Sequence, residues 1–480
     1  MLASCTDEKP LAVTVYETSA AGNQLEERTD FPEGAAAEIR LFPDSTYQTI
    51  TGFGGSFTEA SSYLLNQLSQ ANRDRIVEAY FGESGARYSL TRTHMNSCDF
   101  SLGQYSYAPV AGDTNLDSFS IAEDQDDIIP FIKDAMAVSK DGFKIIASPW
   151  TAPPWMKDNG DWRGGKLLPE YYGTWAKFFS KYREAYREEG IDIWGFTVEN
   201  EPLGNDNNWE SMHFSPEEMT DFVQQHLGPQ LEADGHEVVI LGYDQNRGDE
   251  IQEWIHAMYS DQAAARYFNG MAVHWYASTY DWFPQALQDA HAAAPDKHLI
   301  QTEACVDAEV PKWQDDAWYW SKEATDWGWD WASEDQKYLH PKYVPVYRYA
   351  RDIIGCLNNW VDGWVDWNMV LDRQGGPNWF KNWCVAPVIV DPGQDEVYFT
   401  PLYYTMAHFS RFIRPGATRI GFDLTDDSLM ATAARNPDGS IAVVVLNQEP
   451  AEKTFSIQIG KQQVPVSISG RAVQTILINQ

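Results

Sequence analysis

Ile191-Asp192-Ile193-Trp194-Gly195-Phe196-Thr197-Val198-Glu199-Asn200-Glu201-Pro202 is a short apolar run that ends on carboxylates and is stopped by a proline. Its length suits a strand better than a helix, and helix-like segments lie on either side of it. Further runs of the same kind occupy 47–53, 87–95, 143–150, 237–243, 271–276, 298–305 and 361–369. Eight such strands alternating with helices predict a parallel sheet closed into a (β/α)8 TIM barrel, class α/β. Function in such a barrel sits on the loops at the C-terminal ends of the strands.

Some of the intervening helices announce their starts. Ser215-Pro216-Glu217-Glu218 combines an N-cap serine, a proline at the first helical position and a capping-box Glu, and Ser120-Ile121-Ala122-Glu123 repeats the Ser-x-x-Glu pattern. The acidic run from Glu123 to Asp127 reads first as a solvated helix start that complements the dipole and second as a metal site.

After residue 412 the pattern changes to alternating strands with turn punctuation, as in Asn436-Pro437-Asp438-Gly439 before Ser440 to Leu446, then Thr454 to Ile459 and Ala472 to Ile478. So small a sheet needs partners, and the strand-like runs 12–16 and 37–42 can supply them. The chain divides into a polar tether (1–10), N-terminal strands (11–45), the barrel (46–412) and C-terminal strands (413–480). The two sets of strands form an all-β sandwich beside the barrel.

Of 480 residues, 35 are Lys or Arg and 70 are Asp or Glu, a formal charge of −35 that repels phosphate backbones and argues against nucleic acid as a partner. No run reaches the ~20 apolar residues of a membrane span. Leu2-Ala3-Ser4-Cys5 resembles the lipobox at which lipoprotein signal peptides are cut, which predicts a lipid anchor at Cys5 and a place in a bacterial cell envelope, at the periplasm or outer surface. Without that processing the expectation is a secreted protein. Cys98, Cys305, Cys356 and Cys384 show neither metal nor disulfide spacing and read as buried thiols.

Strand four ends on Glu201 and strand seven on Gln301-Thr302-Glu303-Ala304-Cys305, so both deliver a carboxylate to one rim. Pro202 keeps Glu201 out of the α region, which predicts an extended backbone there. Two carboxylates converging on a cleft suit glycosidic bond cleavage. His274, ending strand six, reads first as a structural histidine and second as a base. Gly52-Phe53-Gly54-Gly55-Ser56 lacks the dinucleotide spacing and reads as a tight βα turn that aims Thr58 and Glu59 at the cleft. No HExxH, P-loop or nucleophile-elbow pattern occurs, and neither a metal nor an organic cofactor is expected.

All 20 tryptophans fall between Trp150 and Trp383. Trp313, Trp318, Trp320, Trp327, Trp329 and Trp331 crowd the long connection after strand seven. Indole faces there suit sugar rings, or else they pin the loop to the barrel.

Thr51 to Glu59, Ser97-Cys98-Asp99-Phe100, Ala147 to Trp155, Glu199-Asn200-Glu201-Pro202, Val273-His274-Trp275-Tyr276, Glu303-Ala304-Cys305, Asp366-Trp367-Asn368 and Gly375 to Trp379 together resemble glycoside hydrolase family 30. The similarity is to its branch of glucosylceramidases (acid β-glucosidases) and β-1,6-glucanases. The resemblance implies a retaining double displacement on a β-glucoside, with Glu201 as acid/base and Glu303 as nucleophile. It implies Arg92 and Tyr276 beside Glu303, Asn200 on the sugar's 2-hydroxyl, and Glu59, Trp150, Trp367 and Asn382 around the sugar. Where the family pattern has Asp, this chain is read as having Glu59, whose extra methylene changes its reach by about 1.5 Å. The expected substrate is β-1,6-glucan or gluco-oligosaccharide. Glucosylceramide or a simple β-glucoside is the alternative, and a carbohydrate-binding protein without activity is the alternative of another class.

Overall fold

The structure is a computed structural model and describes residues 11–307, 311–325 and 332–479. The tether, the Cys5 expectation and Trp327, Trp329 and Trp331 lie outside the described residues.

Strands β1 (Gly52–Phe57), β2 (Leu90–Met95), β3 (Lys144–Pro149), β4 (Gly195–Thr197), β5 (Val239–Asn246), β6 (Gly270–His274), β7 (His298–Glu303) and β8 (Gly363–Asn368) form a closed barrel. Each pairs in parallel with its neighbour in sequence, and β8 closes on β1. Leu90, Ile146, Leu241, Ala272, Ile300 and Val365 fill the interior as one apolar cluster. Side chains two residues further along a strand share its face, so Arg92, Ser148 and Thr302 stack above Leu90, Ile146 and Ile300 as a polar layer toward the C-terminal mouth.

The first strand corrects its sequence reading. Tyr47 to Thr49 belong to a 13-residue strand, Ala37–Thr49, that pairs with the sandwich. Gly52-Phe53-Gly54-Gly55-Ser56 is the barrel strand itself and not a turn. Glycine is needed there because a Cβ on Gly54 would lie 2.1 Å from the Leu90 carbonyl oxygen of β2.

The capping box at Ser215 forms in both directions, Ser215 accepting from the Glu218 N–H and Glu218 from the Ser215 N–H. The one at Ser120 does not form. Residues Ala122–Asp126 make a 3-10 turn, and the α-helix starts at Ile128 with Asp127 as its cap. Nor is the acidic run wholly solvated: Asp124 is buried and accepts from the hydroxyls of Tyr107 and Tyr186 at 2.7 and 2.6 Å.

Both chain ends meet in a nine-stranded sheet. Ala12–Ser19 pairs antiparallel with Ala472–Asn479, and Ala37–Thr49 lies between Thr418–Leu424 and Lys453–Ile459. Val15, Ile39, Ile420, Val443, Phe455, Val466 and Ile476 share a second core, so the sheet folds over on itself as a sandwich. Ile441–Asn447 is buried throughout because its faces serve different cores. Val443 and Val445 enter the sandwich, while Ala442, Val444 and Leu446 pack with the barrel's outer shell.

Candidate active site

At the barrel mouth β4 and β7 place Glu201 and Glu303 opposite one another. An oxygen of each carboxylate and a ring nitrogen of His274 all lie within 4.8 Å of one another. Glu201 does not have the extended backbone expected of it, since its φ is +49°. Proline still excludes the right-handed helix, but a turn captures the residue instead. The Gly204 N–H donates to the Glu201 carbonyl at 2.7 Å, and the Glu201 N–H donates to the Asp244 carbonyl at 2.9 Å. A non-glycine residue held there stores strain that the surroundings must impose.

Glu303 is bound on both oxygens. Arg92 Nη1 donates to Oε2 at 2.5 Å and the Tyr276 hydroxyl donates to Oε1 at 2.9 Å. Burial raises its pKa, and the facing Glu201 adds to the rise, while the charges of His274 and Arg92 oppose it. Because both Glu303 oxygens accept from donors that favour the ionised form, the geometry allots the negative charge to Glu303.

Arg92 organises the floor of the site. It is fully buried, and its other nitrogens donate to Ser148 Oγ at 2.9 Å, Asn200 Oδ1 at 2.8 Å and Asp244 Oδ2 at 2.7 Å. Burial alone would oppose the Asp244 charge, but Arg92 and His274 hold that carboxyl well below the usual range. His274 lies between two carboxylates, Nε2 at 2.9 Å from Asp244 and Nδ1 at 3.3 Å from Glu201. Burial lowers its pKa, yet Asp244 and Glu303 win and carry it up to about 9. The flanking carboxylates thus favour the imidazolium form of His274.

A cavity of about 390 Å³ opens over the carboxylates, lined by Asp99, Trp150, Asn200, Tyr276, Trp367 and Asn382 among others. Trp150 and Trp367 stack at 5.1 Å between centroids and cap the Arg92 guanidinium. Of the residues expected around the sugar, only Glu59 is missing from the wall. It starts the helix Glu59–Asn66 and lies against Ser101 and Leu102, with its N–H donating to His94 Nε2 at 3.1 Å. The pocket carboxylate is Asp99, which accepts from Asn382 Nδ2 at 3.1 Å. Burial, with Glu303 nearby, pushes the Asp99 pKa well up. Asp99, within the quoted Ser97-Cys98-Asp99-Phe100 motif, lines the cavity, and Glu59 does not. Asp244 was also missed; its only signal was a polar residue just past the predicted strand end. A larger hollow of about 810 Å³ beside Trp194, Val239 and Asn269 lies at the starts of the strands, away from this chemistry.

Among the described tryptophans of the strand-seven connection, Trp318 and Trp320 are buried and Trp313 packs against Tyr398, so these pin the loop.

A (β/α)8 barrel with facing carboxylates over an indole-walled cavity is the architecture of an O-glycosyl hydrolase. The pattern described as the glycosyl hydrolase family 30 TIM-barrel domain matches residues 50–413, and that of the family's beta sandwich domain matches 416–476. The chain belongs to glycosyl hydrolase family 30 and is a β-glycoside hydrolase. It is 33% identical to the lysosomal acid glucosylceramidase of Mus musculus over 92% of this chain and 84% of that one. It is 28% identical to an endo-1,6-beta-D-glucanase of Neurospora crassa over 85% and 80% of the two chains. The solved endo-beta1,6-glucanase BT3312 superposes with a TM-score of 0.83 at 28% identity, covering 98% of this chain and 99% of the other.

Proposed function

We propose that this chain is a retaining enzyme that cleaves β-1,6-linked glucan or gluco-oligosaccharide. The observation that carries the mechanism is the approach of the Glu201 and Glu303 carboxylates to within 4.8 Å. Retaining glycosidases hold theirs about 5 Å apart, whereas inverting enzymes leave room for water at about 6.5–9.5 Å. Glu303 attacks the anomeric carbon with an oxygen lone pair, and the bond to the leaving oxygen breaks as Glu201 gives that oxygen its proton. Water then donates a proton to Glu201 and attacks the same carbon, releasing the Glu303 carboxylate. Asn200, oriented by Arg92, takes the 2-hydroxyl, and Asp99 with Asn382 takes hydroxyls farther from the reacting carbon.

For the substrate, the argument comes from a second cleft of about 390 Å³ lined by Gln104, Pro154, Gly160, Asp161, Trp162, Arg163 and Trp379. It adjoins the first across the segment Trp209–Ser211: the Ser211 N–H donates to the Trp162 carbonyl at 3.0 Å, and Trp379 Nε1 donates to Glu210 at 3.2 Å. Indole faces with planar polar side chains suit a further sugar ring; acyl chains would call for aliphatic walls. Relatives named as glucosylceramidases and relatives named as β-1,6-glucanases both match, so family membership leaves both substrates open. Turnover of a β-1,6-glucan and of glucosylceramide by the same preparation tests the choice. Faster cleavage of the glucan is expected, and faster cleavage of the ceramide would reverse the assignment. We place the protein at a bacterial envelope through acylation of Cys5, which fatty-acid labelling of the expressed gene product would check.

A further inference from the structure

Cys305 and Cys384 place their sulfurs 3.3 Å apart on the wall of the catalytic cavity. They come from different parts of the fold, Cys305 from the end of β7 and Cys384 from the short strand Cys384–Val385 that pairs with Val306–Asp307. They retain 4% and 3% exposure, whereas Cys98 and Cys356 have none. Burial pushes the Cys98 and Cys356 thiols up, which suppresses the reactive thiolate in both. Among the described cysteines, Cys305 and Cys384 are the two that line the catalytic cavity, the space into which a dissolved reagent would enter.

The spacing has a chemical meaning. An atom bonded to two sulfurs at about 2.3 Å, the length of a Zn–S bond, with an angle near 90°, holds them about 3.3 Å apart. We propose that Cys305 and Cys384 form a two-thiol binding site for thiophilic ligands that take both sulfurs at once, with trivalent arsenicals as the chemical class, and that filling it disables the glycosidase pocket. The step is a condensation without redox change. Both S–H bonds break, two As–S bonds form, and the arsenic's oxygen leaves as water with the two protons. Inhibition follows from position: the Tyr276 hydroxyl that donates to Glu303 is also 3.5 Å from Cys305 Sγ. A group seated on that sulfur both enters the sugar's space and displaces the tyrosine from the carboxylate.

The probe is phenylarsine oxide, added to the full chain during hydrolysis of a chromogenic β-glucoside. At least tenfold inhibition is expected, reversed by dithiothreitol and not by an equal concentration of a monothiol. Cys305→Ser and Cys384→Ser should each lose that sensitivity, while Cys98→Ser keeps it. Intact mass and peptide mapping of the treated wild type give a second readout that depends neither on the folding of a variant nor on activity. One phenylarsenic per chain linking the Cys305 and Cys384 peptides is expected. Labelling at Cys98 or Cys356 instead, or inhibition that persists in both serine variants, overturns the proposal. A chain that binds the arsenical as described but hydrolyses no β-glycoside would refute the proposed function and leave this site standing.

Discussion

Arg92 Nη1 lies 2.5 Å from Glu303 Oε2, and the same guanidinium lies 2.7 Å from Asp244 Oδ2. One buried cation thus serves two buried carboxylates, and a third polar group, Asn200, is oriented by it. Arginine suits the position because its planar fork donates in several fixed directions and stays charged when desolvated. The same side chain joins the stability of the barrel's polar layer to the ionisation of the nucleophile.

Arg92→Met should therefore reduce both. Removing one partner of a buried ion pair costs about 3–5 kcal/mol, which chemical denaturation would read as a lower midpoint. The rate on a chromogenic β-glucoside should fall by about 10²-fold or more, the scale of losing one preorganised donor at a developing charge. Arg92→Lys restores charge without the fork and should recover more stability than activity. A stable, fully active Arg92→Met variant would contradict this account of the site.

The two carboxylates should separate by leaving group. Glu303→Gln removes the attacking oxygen and should abolish turnover on every substrate. Glu201→Gln removes proton delivery, typically worth about 10²–10⁴-fold, and the loss should shrink on dinitrophenyl β-glucoside, whose leaving oxygen needs no proton. Steady-state rates on alkyl and dinitrophenyl glucosides check this. Equal losses on both would mean that Glu201 is not the acid.

Asp99, not Glu59, should govern sugar affinity. Asp99→Ala removes the carboxyl group that faces the cavity beside Asn382, and kcat/KM should drop by about tenfold or more, the cost of one or two buried hydrogen bonds. Glu59→Gln, outside the wall, should change kcat/KM by less than about tenfold, since it gives up no hydrogen bond to the sugar. Michaelis constants of the two variants on one glucoside decide it, and the reverse order would return Glu59 to the pocket.

These residues also mark where the sequence could be read and where it could not. Glu201 and Glu303 were legible because each ends an apolar strand-length run, and the order of the runs puts both ends on one rim. Asp99 lies on an irregular loop after β2, and only its contact with Asn382, 283 positions away, brings it to the sugar. Asp244 was hidden for another reason. Tyr243 and Asp244 both have positive φ, and the pairing with β6 slips between Tyr243 and Gln245, so alternation along the strand no longer tells which side chain points inward. The glycine-rich β1 was mistaken for a turn because its glycines answer to the neighbouring Leu90 carbonyl, a tertiary constraint without a local signature. Glu201's left-handed backbone has the same origin, a hydrogen bond to the Asp244 carbonyl that no reading of Pro202 supplies.

Stability should fall as pH rises from about 6.5 to 8 by proton linkage. Burial raises Asp124 from 3.8 to about 7, Asp127 from 3.8 to about 8 and Glu59 from 4.5 to about 7. Each keeps its proton in the folded chain across a range where the unfolded chain has released it, so the folded state binds more protons and loses ground as they leave. His274 acts in the same direction: with a folded value of about 9 against 6.5, its contribution is complete below 6.5 and is lost as pH rises through 9. Asp244, held low, works the other way, but its contribution is already complete above its ordinary value of 3.8 and fades only in stronger acid. His94, His340 and His408, lowered by burial from 6.5 to about 4, 4 and 3, also work the other way, because the unfolded chain binds their protons up to about 6.5, and they offset the carboxyl groups below that pH. The net charge of −35 adds self-repulsion that also grows as carboxyls ionise. Denaturation midpoints at fixed ionic strength should therefore decline from about pH 6.5 to 8, and Asp124→Asn should lessen that decline near pH 7, because an amide stays neutral throughout. A midpoint that rises across this window would show that these groups are ionised in the folded protein and that their burial does not govern their charge.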